Sequence, residues 1–238
     1  MTKALWVLAH PDRCSLSAHL RDVGVDTLRS EGWEVEESDL YAMEWDPILV
    51  REGGDDVRAE QEKLCAADLV VLQFPLWWYG VPAIMKGWID RVFEQGFAYD
   101  VLNPATGRSR KYGDGGLVGR RALAVVTAGD RPGSLGHRGI SGHIDDVLWP
   151  LLHGTFWYTG MSALRPHLVA NTRAVDDESI GVVDDELRRR IRGLKAEDPI
   201  DYLPMTEEHY DHAIRLHPHR SESFEGNLAH RRRPERPA

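Results

Sequence analysis

Three groups of residues have types and spacing that could do chemistry. The first is Trp77-Trp78-Tyr79, within the stretch QFPLWWYGVPAIMKGW at 73–88. Loops are usually polar, so three large rings on a turn need a reason. A packed corner of the core is one. The other is a platform: a flat heterocycle needs broad apolar contact plus backbone donors for its ring heteroatoms, and a turn after a strand offers both. Gly80 would let the backbone approach closely, and Pro82 would open the next helix at a favoured position. The second group is His10, Ser15 and Ser17, just ahead of a helix start. Such a start presents unpaired N–H groups and about half a positive charge, which suits a phosphate. A plain N-cap accounts for the serines equally well. The third group, Thr127-Ala128-Gly129-Asp130, is small and turn-forming, consistent with backbone amides facing a ligand edge.

Other chemistries find little support. No GxGxxG follows the first apolar run, and no GxxxxGK[ST] occurs. His137 and His143 lie six residues apart, with His153 and His167 further on, but without an HxxxH pair or cysteine cluster. No metal site is expected. The two cysteines, Cys14 and Cys65, make no disulfide framework and belong to no nucleophile motif. The run Arg231-Arg232-Arg233 reads as a solvated tail.

These groups need elements to position them. Lys3–Ala9 and Asp68–Phe74 are short apolar runs, as expected of strands buried on both faces, and Arg121–Thr127 is a further strand. Trp33–Leu40 alternates like a more exposed strand, and 162–170 supplies a fifth. Between them, helices are expected from a cap at Ser15 or Ser17 to a close at Gly32, and over 59–67, 83–94, 144–159 with a break at Pro150, and 176–195. Residues 51–56 and 100–119 read as loops. The segment 217–238 has a disordered composition. Strands alternating with crossover helices predict an α/β, doubly wound, five-stranded parallel sheet of flavodoxin-like order 2-1-3-4-5, with helices on both faces. Ligands in such sheets sit beyond the carboxyl ends of the strands, so the loops at 10–17, 75–82 and 127–142 should share one rim.

The chain has 238 residues, long enough to bury roughly 70–75 % of its unfolded surface. With 42 % hydrophobic and 28 % charged residues it has the composition of a soluble globular protein. Its net charge of −9 argues against a nucleic-acid partner. No stretch approaches the roughly 20 apolar residues of a membrane span, and the N-terminus has no signal-peptide pattern, so a cytoplasmic location is expected. The division expected is a flavodoxin-like domain over 1–198 and a C-terminal extension over 199–238, partly irregular or packed on a partner subunit.

The segment QFPLWWYGVPAIMKGWIDRVFEQGFAY closely resembles the NAD(P)H:quinone oxidoreductase (DT-diaphorase) family, whose members carry a QFPL-x-W-F-GVPAILKGW-like motif. ALWVLAHPDRCS, GWEVEESDLYAM, AADLVVLQFP and DDVLWPLLHG match further family segments in order, and the likeness covers roughly 3–170. The resemblance implies a homodimeric flavoprotein that passes hydride from NAD(P)H to flavin and from flavin to a quinone. On matched positions, His10, Ser15, Leu16 and Ser17 would meet the flavin's phosphate and ribityl portion. Pro75, Leu76, Trp77, Trp78 and Tyr79 would line its ring, with Thr127, Ala128, Gly129, Asp130 and Gly136 along the opposite edge. Trp78, Tyr79, Tyr99, Ser141 and His143 would form the catalytic set, Tyr99 coming from the partner subunit.

This sequence departs from the family at several points. Ser141 stands where a histidine assists charge redistribution, Gly136 replaces the tyrosine before it, and His137 and His143 lie close enough to substitute. Asp130 adds a negative charge beside the ring, and Val101 replaces a second pocket tyrosine. The overall likeness favours FAD. The shortened loop after the second strand lacks a segment that helps hold the adenine half, which favours FMN. Reduction of azo or nitro compounds on the same scaffold is a competing expectation. So is an ancillary, regulatory role at a membrane potassium-efflux system, where relatives of this fold occur.

Overall fold

The computed structural model describes residues 2–50, 53–220 and 226–231. Its elements run β1 (Lys3–Leu8), α1 (Leu16–Ser30), β2 (Glu34–Asp39), α2 (Asp55–Ala66), β3 (Leu69–Pro75) and α3 (Ala83–Val92). A two-stranded ribbon of β4 (Val101–Leu102) and β5 (Ser109–Arg110) precedes β6 (Arg121–Thr127). The short helices α4 (Ile144–Val147) and α5 (Trp149–Leu151) lead through a π-helical turn at Leu152–Trp157 to β7 (Ser162–Ala163), β8 (His167–Val169) and α6 (Ile180–Gly193).

The main sheet is parallel throughout, in the order β2-β1-β3-β6-β7, with β8 also paired to β6. This is the flavodoxin-like arrangement, with one change. The expected fifth strand over 162–170 is split: Ser162–Ala163 pairs with one end of β6 and His167–Val169 with the other. Pro166 lies in the gap, and a residue without an N–H cannot donate to the ladder. The expected helix over 144–159 is likewise interrupted around Pro150.

Alternation along each strand builds two cores. Trp6, Leu123 and Val125 face α1 and α6, packing with Leu20, Leu28, Leu187 and Ile191. Leu5, Val7, Val70 and Leu72 face the other way, onto Leu64, Met85, Trp88 and Val92. All seven residues of β3 are buried, as expected of a central parallel strand. Gly24 lets α1 sit close on β1: a Cβ there would lie 2.1 Å from the Trp6 ring.

A polar network crosses this apolar interior. Gln73, fully buried in β3, accepts the Trp6 indole N–H at 2.7 Å and donates to the Ser17 carbonyl at 2.6 Å. The Ser17 and Thr127 hydroxyls are 3.0 Å apart. β1, β3, β6 and the start of α1 are thereby tied together where their loops emerge.

Two sequence expectations need correction. Pro82 is the N-cap of α3, one residue ahead of the expected first helical position. Arg231 does not belong to a solvated tail: it is 7 % exposed and bridges to Tyr202, within a segment where Ile200, Tyr202 and Leu203 are also buried. Arg232 and Arg233 lie outside the described residues, as do Arg51, Glu52 and parts of the expected disordered segment.

Gly24→Ala should destabilise the protein by about 1–3 kcal/mol in urea unfolding, because the indole beneath cannot retreat without disturbing the core it fills and its hydrogen bond to Gln73. A second expectation concerns pH. Burial, reinforced by the charges of His230 and Arg231, lowers His153 to about 4, and burial with the charge of Arg190 lowers His167 to about 4. In the unfolded chain these rings titrate near 6.5. Between those values the unfolded chain binds more protons, so stability is full above about pH 6.5 and declines as pH falls towards 4. Urea midpoints should therefore drop from pH 7.5 to pH 5, and His167→Gln should reduce the slope.

Candidate functional site

Four loops meet at the carboxyl ends of the strands and enclose a cavity of about 720 Å³. His10, Ser15, Leu16 and Ser17 come from the β1–α1 connection, and Pro75, Leu76, Trp77, Trp78 and Tyr79 from the end of β3 and the turn beyond. Thr127, Gly129 and Asp130 follow β6, while Thr172 and Arg173 follow β8.

The first loop is stiff. The Asp12 amide donates to His10 Nδ1 at 3.1 Å, the Cys14 amide to Asp12 Oδ1 at 2.8 Å, and the Ser15 hydroxyl to the Asp12 carbonyl at 2.7 Å. Ser15 is the N-cap of α1 and accepts from the Ala18 amide at 3.2 Å. Cap and anion site are compatible here, because one capping bond leaves other first-turn amides without helical partners.

The aromatic turn is built in an unexpected way. Trp78 and Tyr79 adopt φ of 51° and 58°, Gly80 donates to the Trp77 carbonyl at 3.1 Å, and Trp77 and Gly80 form an antiparallel bridge. Two consecutive left-handed residues define the φ pattern of a type I′ turn, normally filled by Asn or Gly. Bulky residues there cost on the order of 1–3 kcal/mol each, and such strain concentrates at functional positions. A Cβ at Gly80 would meet no protein atom within 4 Å, so packing within the chain does not require a glycine there. The strain is carried by its two neighbours. The turn throws its rings outward: Trp77 is 43 % exposed and Trp78 98 %. They are not sealed in a core corner. The Leu76 amide donates to the Thr127 carbonyl at 2.8 Å, anchoring this turn to the third loop.

Other candidates fall around the cavity instead of in its wall. Ala128 is buried behind it, its amide donating to the Val169 carbonyl at 2.9 Å. Ser141 reaches the Tyr79 hydroxyl at 3.1 Å. His143 caps α4, its Nδ1 accepting the Asp145 amide at 3.2 Å, and stacks on His137 at 4.1 Å between ring centroids. Burial pushes His143 below the usual imidazole range, against the pull of Asp145, and the His137 charge adds to the lowering. Gly136 and Tyr99 do not line this cavity. Tyr99 is 40 % exposed beside the β4–β5 ribbon.

Thr172 and Arg173 were not anticipated. The Asn171 amide donates to the Asp130 carbonyl at 2.7 Å and the Thr172 amide to the Ala128 carbonyl at 3.1 Å, which binds this loop to the one after β6. The Arg173 guanidinium reaches Gly129, with Nε 3.6 Å from where a Cβ would be. The cavity thus combines a cation and a helix start with one carboxylate, Asp130. Among the described residues no group of three or more His, Cys, Asp or Glu could hold a metal ion, and no helix is long and apolar enough to cross a membrane.

Fold and site together define an α/β flavodoxin-like protein with a ligand cavity at the switch point of its sheet. A family model described as flavodoxin-like fold matches residues 2–191. The human ribosyldihydronicotinamide dehydrogenase [quinone] is 36 % identical over 225 residues, covering 83 % of this chain and 94 % of that protein. Rat NAD(P)H dehydrogenase [quinone] 1 is 33 % identical, covering 85 % of this chain and 81 % of its own. A crystal structure from Klebsiella pneumoniae, described as a candidate quinone reductase, superposes with a TM-score of 0.92 at 34 % identity, covering 97 % of this chain and 100 % of that one. The chain belongs to the NAD(P)H:quinone oxidoreductase family.

Arg173 makes no ion pair among the described residues and lines the cavity, so it is available to an anion. A phosphate-bearing ligand of this cavity should bind about tenfold more weakly to Arg173→Ala, and a counterpart without the phosphate should be unaffected; FMN and riboflavin are the pair to compare. Fluorescence titration of both ligands checks this, and equal losses would contradict it.

Proposed function

We propose that this chain is a flavin-dependent NAD(P)H:quinone oxidoreductase working as a cytoplasmic homodimer. The observation carrying the reading is the strained turn that holds Trp77, Trp78 and Tyr79 at the wall of a roughly 720 Å³ cavity, with a helix start and Arg173 lining the same cavity. The residues fit a flavin: aromatic and apolar wall for a flat ring system, cationic and amide-rich wall for a phosphate. A bound flavin supplies the capacity to accept hydride from a reduced nicotinamide and deliver it to a quinone.

The protein's part is positioning and charge. The start of α1, with Ser15 and Ser17, and the Arg173 guanidinium hold the phosphate. Leu76, Trp77, Trp78 and Tyr79 bed the ring and exclude water from its face. Thr127, Gly129 and Asp130 line its edge, where the Asp130 carboxylate opposes the build-up of further negative charge. The Tyr79 and Ser141 hydroxyls lie 3.1 Å apart, where either can donate to the other, and the Tyr79 hydroxyl can offer a hydrogen bond at the cavity wall.

Homodimerisation is supported by exposed apolar side chains. Trp78 and Ile140 are both 98 % exposed, and Leu102 and Tyr99 are also exposed. Large side chains left open in this way suit coverage by a second copy. Tyr99 would then serve the partner's cavity. FAD is the proposed flavin and FMN its competitor.

The purified protein should be yellow, should oxidise NADH or NADPH when menadione is supplied, and should elute as a dimer. Mass spectrometry of the released flavin decides between FAD and FMN, and azo and nitro compounds in the same assay test the breadth of the acceptor site. Protein that takes up neither flavin and oxidises no nicotinamide would overturn the reading.

A further inference from the structure

Residues 226–231 return to the body of the molecule through long-range polar pairs. The Arg231 side chain is 5 % exposed, and its Nη1 lies 3.1 Å from Oδ2 of Asp145, itself 5 % exposed. Arg165 Nη1 approaches the same oxygen at 3.4 Å, and the Arg231 guanidinium lies 5.6 Å from the Tyr202 ring centroid. Asn227 donates to Asp146 Oδ1 at 3.3 Å, while the Leu203 amide donates to the His230 carbonyl at 2.9 Å.

Asp145 and Asp146 form the first turn of α4, whose cap is His143. The segment just before is folded on itself. The Ser141 amide donates to the Ser134 carbonyl at 3.0 Å, the Gly142 amide to the Gly139 carbonyl at 3.1 Å, and His137 stacks on His143. Ser141 then holds the hydroxyl of Tyr79 in the cavity wall. Contacts therefore run unbroken from Arg231 to the aromatic turn. A buried ion pair is weak evidence for stability, since desolvation offsets much of the attraction, but removing one partner strands the other's charge. Its effect here is to fix where α4 begins.

We propose that Arg231 is a positioning residue for the candidate site: through Asp145 it fixes the start of α4 and the 134–143 loop, so that Ser141 orients Tyr79 at the cavity wall. The kinetic part of this inference rests on the proposed function; the structural part does not.

The experiment compares the full-length wild type with Arg231→Met, Arg231→Lys, Asn227→Ala, Ser141→Ala and the Arg231→Met/Ser141→Ala double variant. Hydrogen exchange at the Ser141 and Gly142 amides should quicken in Arg231→Met while β1 amides are unchanged. Menadione turnover should fall roughly three- to tenfold, and Arg231→Lys should recover part of both. Ser141→Ala should also slow turnover, and adding Arg231→Met to it should cost little more, because both act through one contact. Should Arg231→Met fail to fold, Asn227→Ala loosens the same helix start without stranding a charge and should shift exchange in the same direction. Faster loop exchange in a wild-type background that lacks turnover would refute the proposed function and uphold the positioning role. Normal wild-type turnover with unchanged exchange in the variants, or full additivity in the double variant, refutes the positioning role.

Discussion

The buried side chain of Gln73 is the constraint on which the site depends. A parallel sheet fixes the order of its strands but leaves the loops beyond them free to diverge. Gln73 joins the Trp6 indole in β1 to the Ser17 carbonyl at the start of α1, and Ser17 reaches across to Thr127 at the end of β6. Each bond is modest on a net basis, but a buried amide left without partners would cost roughly 1–3 kcal/mol. The arrangement is therefore close to all-or-none, and it brings three loops to one rim with their polar atoms already committed. Loops held this way need little reorganisation when a ligand enters, which preserves affinity.

The aromatic turn illustrates how such a frame is used. Two left-handed residues without a glycine between them are unfavourable for an isolated segment, yet here the Leu76 amide is fixed to Thr127 and Gly80 closes the turn. The surrounding sheet over-determines the backbone, so the strain persists. An Asn-Gly turn would relieve it and lose the rings. That trade makes sense only if exposed rings serve a purpose, either toward a ligand or toward a second copy of the chain.

Much of the fold was legible in the sequence because buried parallel strands are continuous apolar runs. KALWVLA, LVVLQF and RALAVVT read directly as the centre of the sheet, and three of the four rim loops follow from them. The split fifth strand was less legible: a proline could have signalled it, but apolar residues on both sides made 162–170 read as one piece. Arg173 was missed because a lone cation on a loop looks like any solvated charge; only its placement against Gly129 distinguishes it. Arg231 was misread for a related reason. It sits in an arginine run that looks solvated, and its partner lies 86 residues away. Pairs of that kind leave no local periodicity. The family resemblance covered roughly residues 3–170 and so carried no information about either arginine.

The hydroxyl pair and the imidazole beside it are not interchangeable. Nδ1 of His143 is occupied as the acceptor for the Asp145 amide, which places the proton of the neutral ring on Nε2, and burial favours that neutral form against the pull of Asp145. Giving up the cap to titrate would free an amide at the start of α4 just where Arg231 anchors it. The Tyr79 and Ser141 hydroxyls carry no such structural duty, and one of them lies in the cavity wall itself. The geometry thus gives His143 a capping role and leaves the Tyr79–Ser141 pair as the one that reaches the cavity wall. A hydroxyl pair of this kind already carries a proton and can donate a hydrogen bond to negative charge placed beside it.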